Sequence, residues 1–338
     1  MEPTYSRDEC VAAFRDYYAF LASMFMDPTF IIEPPADGWA EITPEVMSDL
    51  CKTDEVIDLL RHLPYIRQEN NSNQPQGLPG NWFIDWGYTA TQMKKGEAHA
   101  GNELIMSEGY GNRFSGKIPA DCIGLVNGRS REDEDWDVIL LDVKYGIIHW
   151  MNCPKSVQET ASPQSREAME NEEESHELEQ GKHEKTVSGN FSGENKNGKA
   201  DHESAQKAGD INRGEDHQDQ RENKDGAKEE YGGSEGNETD EDEDEDEDDE
   251  QGEDYDLEWG PSWRVCDFFE MLKNQFRMLN FMPTGPYDVI DIWNDPKIWI
   301  ERVPENIQAR VQSIYRDHGW PDAEKFDKKS CLARIKAS

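Results

Sequence analysis

The chain has 338 residues, with 73 acidic and 35 basic side chains and a formal net charge of −38. This acidic balance is the opposite of the strongly basic composition that is typical of nucleic-acid-binding domains. No run approaches the roughly 18 consecutive apolar residues of a transmembrane helix. Hydrophobic residues make up 35% of the sequence, below the roughly 45–50%, glycine included, of an ordinary globular chain.

The shortage of apolar residues is concentrated between residues 155 and 258. This span of 104 residues holds 37 acidic and 11 basic side chains but only 15 hydrophobic ones. A segment of this composition cannot bury enough apolar surface to offset its chain entropy, so we predict that it is disordered. Its end carries eleven consecutive acids, from Asp240 to Glu250, and so many like charges favour an extended chain.

The first predicted element is an amphipathic helix near the start of the chain. Ser6 and Glu9 have the spacing of a capping box, in which each side chain satisfies a free backbone donor of the first turn. Apolar residues then recur every three or four positions: Val11, Phe14, Tyr18, Leu21 and Phe25. We interpret it as a core helix that ends at Asp27-Pro28, because the residue before a proline avoids helical angles.

Two shorter helices are predicted next. Thr43 followed by Pro44 suits the N-cap and first position of one helix, and Thr53 suits the N-cap of another that Pro64 stops. Residues 81–86 are predicted to form either a short strand or a buried turn.

The clearest strand signal lies between residues 138 and 150. Residues 138–143 are a short, apolar and β-branched run typical of a buried strand. Gly146 supplies a turn, and residues 147–150 form a second apolar run. We therefore predict a β-hairpin.

Helices dominate the prediction beyond the acidic segment. Ser262 is predicted to cap a helix that Pro283 ends, and residues 287–293 are predicted to form a strand because β-branched residues favour sheet. Two further helices are predicted to follow Pro304 and Pro321.

The ordered pieces are predicted to share one core. Residues 1–154 and 259–338 are interpreted as two parts of one α+β domain, in which amphipathic helices pack on a small, mainly antiparallel sheet. Residues 155–258 are interpreted as a long disordered acidic insertion. Such an excursion is tolerated because the entropy of loop closure grows only logarithmically with loop length.

The order of these elements resembles the SUKH superfamily, which includes fungal cell-wall-assembly regulators and bacterial toxin-immunity proteins. The resemblance rests on Ile118-Pro119, a helix-like segment ending at Asn127-Gly128, the strands of ILLDVKYGIIHW and a later helix, WRVCDFFEML. Ile118 stands where the family usually has Leu. The layout is also similar to that of uncharacterised fungal proteins with an acidic insertion and a C-terminal Gly-Trp-Pro segment. The resemblance implies an α+β protein-binding scaffold that is not an enzyme.

No residue is assigned to catalysis, to a metal or to a cofactor. His149 and Cys153 have an H-x3-C spacing and Cys122 could lie nearby, but zinc needs four such ligands. We favour the interpretation that both cysteines are buried and that His149 lies on a strand face. Asp142 follows a strand, and we interpret it as a turn residue that binds its own backbone.

Aromatic residues and the acidic run supply the candidate partner-binding residues. Seven tryptophans could line a groove, and we interpret most of them as core residues: Trp82, Trp86, Trp150, Trp263, Trp293, Trp299 and Trp320. Among these, Trp299 is the candidate partner-binding residue. The other candidates are Asp240, Glu241, Asp242, Glu243, Asp244, Glu245, Asp246, Glu247, Asp248, Asp249 and Glu250. Thr239 precedes them as a candidate phosphorylation site.

Three functions remain open on the sequence. The first is a non-enzymatic intracellular scaffold of SUKH-like type that binds a protein partner, with the acidic insertion tuning partner choice. The second is an acidic, chaperone-like protein that binds histones or other basic partners through residues 239–258. The third is an enzyme of unrecognised family. We expect a cytoplasmic or nuclear location with reduced cysteines, because residues 1–9 are polar rather than signal-like, and we expect neither direct nucleic-acid binding nor membrane association.

Overall fold

A computed structural model shows helices combined with small antiparallel sheets, which confirms the predicted α+β class. The structure describes residues 5–67, 74–108, 118–128, 137–151, 153–159, 161, 259–294 and 306–337. Most of the acidic segment, residues 162–258, therefore lies outside the described residues.

Helix α1 spans Arg7–Met24, and its N-cap is the predicted one. The side chain of Ser6 accepts a hydrogen bond from the backbone N–H of Glu9. The 3-10 helix Pro28–Phe30 follows, with Asp27 as its N-cap. Helix α2 spans Asp54–His62 and is capped by Thr53, as predicted. The helix predicted after Thr43 is instead a set of turns that leads into the 3-10 helix Ser48–Leu50.

The largest sheet has four antiparallel strands. In spatial order these are β4 (Cys122–Gly124), β6 (Ile139–Asp142), β7 (Ile147–Trp150) and β8 (Ser262–Arg264). Strands β6 and β7 are the predicted hairpin, with Gly146 at a φ of +65° in its turn. Strand β8 comes from beyond the acidic segment and pairs with β7.

Three two-stranded ladders complete the strands of the described residues. Strand β1 (Ile31–Ile32) pairs with β2 (Tyr65–Ile66), and β3 (Asn81–Phe83) pairs with β5 (Val126–Gly128). Strand β9 (Phe281–Pro283) pairs with β10 (Val289–Asp291). The strand predicted over residues 287–293 is therefore confirmed but shorter.

Six more helices follow α2 within the described residues. They are α3 (Trp86–Lys95), α4 (Ala100–Glu108), α5 (Lys155–Gln158), α6 (Val265–Met278), α7 (Ile307–Asp317) and α8 (Lys328–Lys336), the shortest of which is α5. Val157 of α5 is fully buried in the core. The folded part of the chain thus includes residues 155–158, which were predicted to begin the disordered insertion.

Two predicted helix starts are corrected by strand pairing. Ser262 does not cap α6, because it lies in β8 opposite His149, and Arg264 occupies the N-cap position. The helix-like segment expected to end at Asn127-Gly128 is instead the two strands β4 and β5. Pro283 lies in β9, and α6 ends earlier, at Met278, with Leu279 in the left-handed conformation.

The hydrophobic core joins residues from both sides of the acidic segment. Phe14 of α1 packs against Phe269 of α6, with their ring centroids 4.7 Å apart. Trp150 of β7 and Trp263 of β8 both contact Phe268. All of these side chains belong to one contiguous set of buried residues.

Candidate protein-binding surface

The predicted partner-binding residues fall outside the part of the chain that the structure describes. This applies to Trp299, to the acidic run Asp240 to Glu250 and to Thr239. The other tryptophans that were considered for a groove differ in exposure. Trp86, Trp150, Trp263 and Trp320 are buried, as predicted for core residues, and Trp82 is half-buried.

Trp293 is the exception, because it is exposed, as are Ile292 beside it in the chain and Met278 at the end of α6. Met278 is 54% exposed, Ile292 38% and Trp293 36%, and no other large apolar side chain of the described residues is exposed. We call these three residues the Met278–Trp293 surface. Exposed apolar clusters on otherwise well-packed domains commonly mark binding sites.

The surface forms where α6 ends and β10 ends. The left-handed Leu279 terminates α6 by donating its N–H to the carbonyls of Gln275 and Phe276, and the chain then turns into β9. Ile292 N–H donates to the carbonyl of Asn280 at 3.1 Å, which extends the β9–β10 pairing by one residue. This pairing brings the end of β10 beside the end of α6.

A buried carboxylate fixes the backbone beneath the surface. The Oδ1 atom of Asp291 accepts hydrogen bonds from the backbone N–H groups of Trp293 at 2.8 Å and Asn294 at 2.6 Å. Its Oδ2 atom accepts from the Asn294 side chain at 2.7 Å. Asp291 is 4% exposed, so these bonds form largely out of water and hold Trp293 in place.

Helix α7 braces the same turn from the other side. Gln308 Nε2 donates to the carbonyls of Asp291 at 2.7 Å and Asn294 at 3.1 Å, and Gln312 Nε2 donates to the carbonyl of Leu279 at 3.0 Å. The Trp293 ring packs edge-on against buried Phe281, with centroids 5.9 Å apart. These contacts hold the backbone of the turn and the Trp293 ring in place.

A second cluster contains groups that metals use. Ligand atoms of Asp121, Cys122 and Asp142 all lie within 4.8 Å of one another. However, Asp142 Oδ1 accepts from the Tyr145 backbone N–H at 3.1 Å, which confirms its predicted role in the turn. Cys122 Sγ is placed 3.7 Å from Asp121 Oδ1 as a hydrogen-bond donor.

The residues of the H-x3-C motif are buried. Cys122 and His149 are 0% exposed and Cys153 is 5% exposed, as predicted for the two cysteines. The ring of His149 lies 4.6 Å from that of Trp259. Burial, together with the charge of Asp137, raises the pKa of the Cys153 thiol far above its ordinary value, which disfavours the thiolate that a nucleophile requires.

Comparison with known proteins gives no relative for this chain. No protein-family model, no curated protein and no solved structure matches it. Among the helices of the described ranges, none is long and apolar enough to cross a membrane.

The sequence did not indicate that Met278 and Ile292 are exposed, and Trp293 was interpreted as one of the core tryptophans. Helical periodicity identifies the buried stripe of α6 but does not show that the helix ends at Met278. The three residues of β10 are all buried, so their pattern gives no sign that the next two side chains face solvent. The nearest sequence signal was the cluster of tryptophans after residue 290.

Proposed function

We propose that the protein is a non-enzymatic, protein-binding scaffold of SUKH-like type, which acts in the cytoplasm or nucleus. The observation that carries the proposal is the Met278–Trp293 surface, the three exposed large apolar side chains of the described residues, of which Trp293 is held in place by Asp291 and Phe281. Tryptophan is the residue most enriched in binding hot spots, and Met adapts to different partner shapes.

The partner is proposed to be a basic protein with an apolar anchor. The anchor would contact the Met278–Trp293 surface, and the net charge of −38 would attract a Lys- and Arg-rich chain. Complementary charge mainly accelerates association and sets partner choice, whereas the apolar contact slows dissociation. In this arrangement the acidic insertion selects the partner by charge, and the Met278–Trp293 surface holds it.

The first experiment tests the surface by photo-crosslinking from two positions. A photoreactive amino acid replaces Ile292 in one variant and the exposed Ser313 of α7 in a matched control. A basic protein should be crosslinked from position 292 and not from position 313. Equal capture from both positions contradicts the proposal.

The captured partner is then purified and its affinity measured for Trp293→Ser. Truncating a hot-spot aromatic costs at least about 2 kcal/mol, which is roughly a 30-fold weaker Kd. The melting temperature should stay close to that of the unmodified chain, because the side chain is partly exposed. An unchanged Kd refutes the role of the surface.

The alternative is an acidic chaperone-like protein in which residues 239–258 are the main site for histones or other basic partners. Deleting residues 162–258 separates the two functions and leaves α5 intact, which a deletion from residue 155 would not. If the scaffold proposal holds, Kd for the partner survives the deletion within about tenfold. The chaperone-like function is favoured if binding vanishes on deletion and the full chain also loses its binding between about 0.1 M and 1 M salt. Over that range the screening length falls from about 10 to 3 Å.

A further inference from the structure

Met278 differs from the other methionines of the described residues in its exposure to water. More than half of its surface is accessible, and it is the one methionine in those ranges that is exposed. The others are buried (Met24, Met26, Met47, Met271 and Met282) or half-buried (Met93, Met106 and Met151). A peroxide must reach the sulfur of a thioether to oxidise it, so Met278 is the methionine of these ranges that is open to oxidation.

Met278 and Met282 are close in sequence but lie in opposite environments. Met278 is the last residue of α6, and its side chain faces water. Met282 lies in β9, opposite Ile290 of β10, and is fully buried. The sulfur of Met282 meets a peroxide only when the β9–β10 ladder opens locally, which costs free energy.

The backbone around Met278 is held by bonds that do not use its side chain. The N–H groups of Leu279 and Asn280 both donate to the carbonyl of Gln275, the second at 2.9 Å. Gln312 Nε2 donates to the carbonyl of Leu279 at 3.0 Å. A chemical change at the end of the Met278 side chain therefore leaves the end of α6 in place.

A polar atom on Met278 would alter the surface proposed to hold the partner. Ile292 N–H donates to the carbonyl of Asn280, two positions after Met278, so the exposed end of β10 lies beside the end of α6. A sulfoxide carries a strong dipole that water solvates, whereas a thioether is apolar. Covering the sulfoxide with an apolar anchor costs free energy unless a new hydrogen bond forms.

We propose that Met278 is a reversible oxidation site, at which a hydroperoxide converts the thioether to a sulfoxide and so weakens the hold of the Met278–Trp293 surface on its partner. The effect on the partner rests on the proposed function of that surface, whereas the oxidation itself does not. The modification acts on binding and leaves the fold intact.

The chemistry balances with hydrogen peroxide as the oxidant. A lone pair of the Met278 sulfur attacks one peroxide oxygen, an S–O bond forms and the O–O bond breaks. The departing hydroxide takes the proton of the transferred hydroxyl group and leaves as water. The sulfur loses two electrons, and the peroxide supplies the sulfoxide oxygen and one water. Methionine sulfoxide reductases reverse the step, with a dithiol as the reductant.

Peptide mapping of the full chain tests the site with an internal control. The folded protein is treated with hydrogen peroxide and digested with trypsin, and cleavage after Arg277 and Lys297 releases one peptide that contains both Met278 and Met282. Fragmentation of this peptide gives the sulfoxide fraction at each position. Met278 should be oxidised at least about tenfold faster than Met282, because an opening free energy of only about 1.4 kcal/mol slows the buried sulfur by that factor.

The same treatment in urea separates the effect of the fold from that of the local sequence. In the unfolded chain both sulfurs face the solvent, so their oxidation rates should become equal. Methionine sulfoxide reductases added to the refolded, oxidised protein should restore Met278. Equal rates in the folded chain, or a preference for Met278 that persists in urea, overturn the proposal.

The effect on binding is measured as the ratio of Kd after and before peroxide treatment, with the partner purified in the crosslinking experiment. For the wild-type chain this ratio should be at least about five, which corresponds to about 1 kcal/mol. For Met278→Leu, which has no thioether at this position, the ratio should be close to one whatever the Kd of that variant. Met93→Leu removes a half-buried methionine of α3 and should keep the wild-type ratio.

These measurements distinguish failure of this proposal from failure of the proposed function. If Trp293→Ser weakens binding but the wild-type ratio is one, the scaffold function stands and the oxidation switch is refuted. A ratio that rises equally in Met278→Leu also refutes it. If no basic protein is captured from position 292, the proposed function fails and the effect on binding fails with it, whereas the mapping still decides the oxidation site.

Discussion

At the residue scale, Lys52 and Glu108 form an ion pair that is almost fully withdrawn from water. Their side chains are 3% and 8% exposed, and Lys52 Nζ lies 2.9 Å from the Glu108 carboxylate. The Glu108 Oε1 atom also accepts a hydrogen bond from the backbone N–H of Gly124 at 3.1 Å. Burial raises the pKa of Glu108, and Lys52 opposes that increase.

Removing the lysine should be costly at neutral pH. Lys52→Met leaves the Glu108 carboxylate buried without its cation, so we expect the free energy of unfolding to fall by about 3–5 kcal/mol at pH 7. Urea denaturation measures the change. Lys325→Met is the control, because its pair with Asp322 is exposed to water and contributes little to stability. An equal loss in both variants would contradict the prediction.

The same variant should recover on acidification. The pKa of Glu108 in the folded protein is above its ordinary value of 4.5, so the folded state holds the proton more tightly than the unfolded state. Its contribution to stability is therefore fully present below pH 4.5 and is lost as pH rises through the higher folded pKa. Without Lys52 this pKa rises further. The deficit of Lys52→Met should shrink between pH 7 and pH 5, and a deficit independent of pH would refute the mechanism.

At the scale of elements, α4 approaches β4 so closely that only glycine fits between them. A Cβ atom on Gly124 would lie 2.4 Å from the carbonyl oxygen of Ser107 and 2.6 Å from its Cβ. This close approach also allows Gly124 N–H to reach Glu108. The buried ion pair and the helix–strand contact therefore depend on each other.

Gly124→Ala should separate α4 from β4. We expect a loss of about 1–3 kcal/mol in the free energy of unfolding, because the added methyl meets backbone atoms that have little freedom to move. Gly285→Ala is the matched control, since its Cβ would meet nothing within 4 Å. Thermal unfolding of the two variants gives the comparison. If Gly124→Ala is as stable as the control, the close contact does not constrain α4.

Most helices and strands could be predicted from the sequence. The exceptions are segments whose structure depends on pairing with residues distant in the chain. The helix α1 and the β6–β7 hairpin were predicted because their periodicity and turn residues are local signals. Ser262 was mistaken for a helix cap, since a three-residue strand before a helix has the same local pattern. Only the pairing of β8 with β7, more than a hundred residues away in sequence, identifies it as a strand.

At the scale of the whole molecule, the core is built from segments that the acidic segment separates in sequence. Strand β8 and helix α6 pair with β7 and α1, and Lys328 of α8 donates to the carbonyls of Ala22 and Met26 at the end of α1. Neither side of the chain retains these contacts alone. The stability of the fold therefore depends more on the packing between the two sides than on the chain segment that connects them.

Cutting the chain within residues 162–258 should leave the folded part assembled. With an engineered protease site in that span, the two fragments should elute together on gel filtration after cleavage, even with a reducing agent present. The reason is that the β7–β8 ladder and the α1–α6 packing do not need the intervening chain. Fragments that separate under these conditions would indicate independent domains.

The sequence by itself determined the α+β class, the cap of α1, the hairpin and the acidic character of residues 155–258. These features follow from composition and from residues a few positions apart. The tertiary structure alone decided the exposure of Met278, Ile292 and Trp293, the pairing of β8 with β7 and the burial of Lys52 with Glu108. Each of these depends on residues that are distant in the chain, because whether a side chain faces water, a strand or a carboxylate is set by the distant element that packs against it.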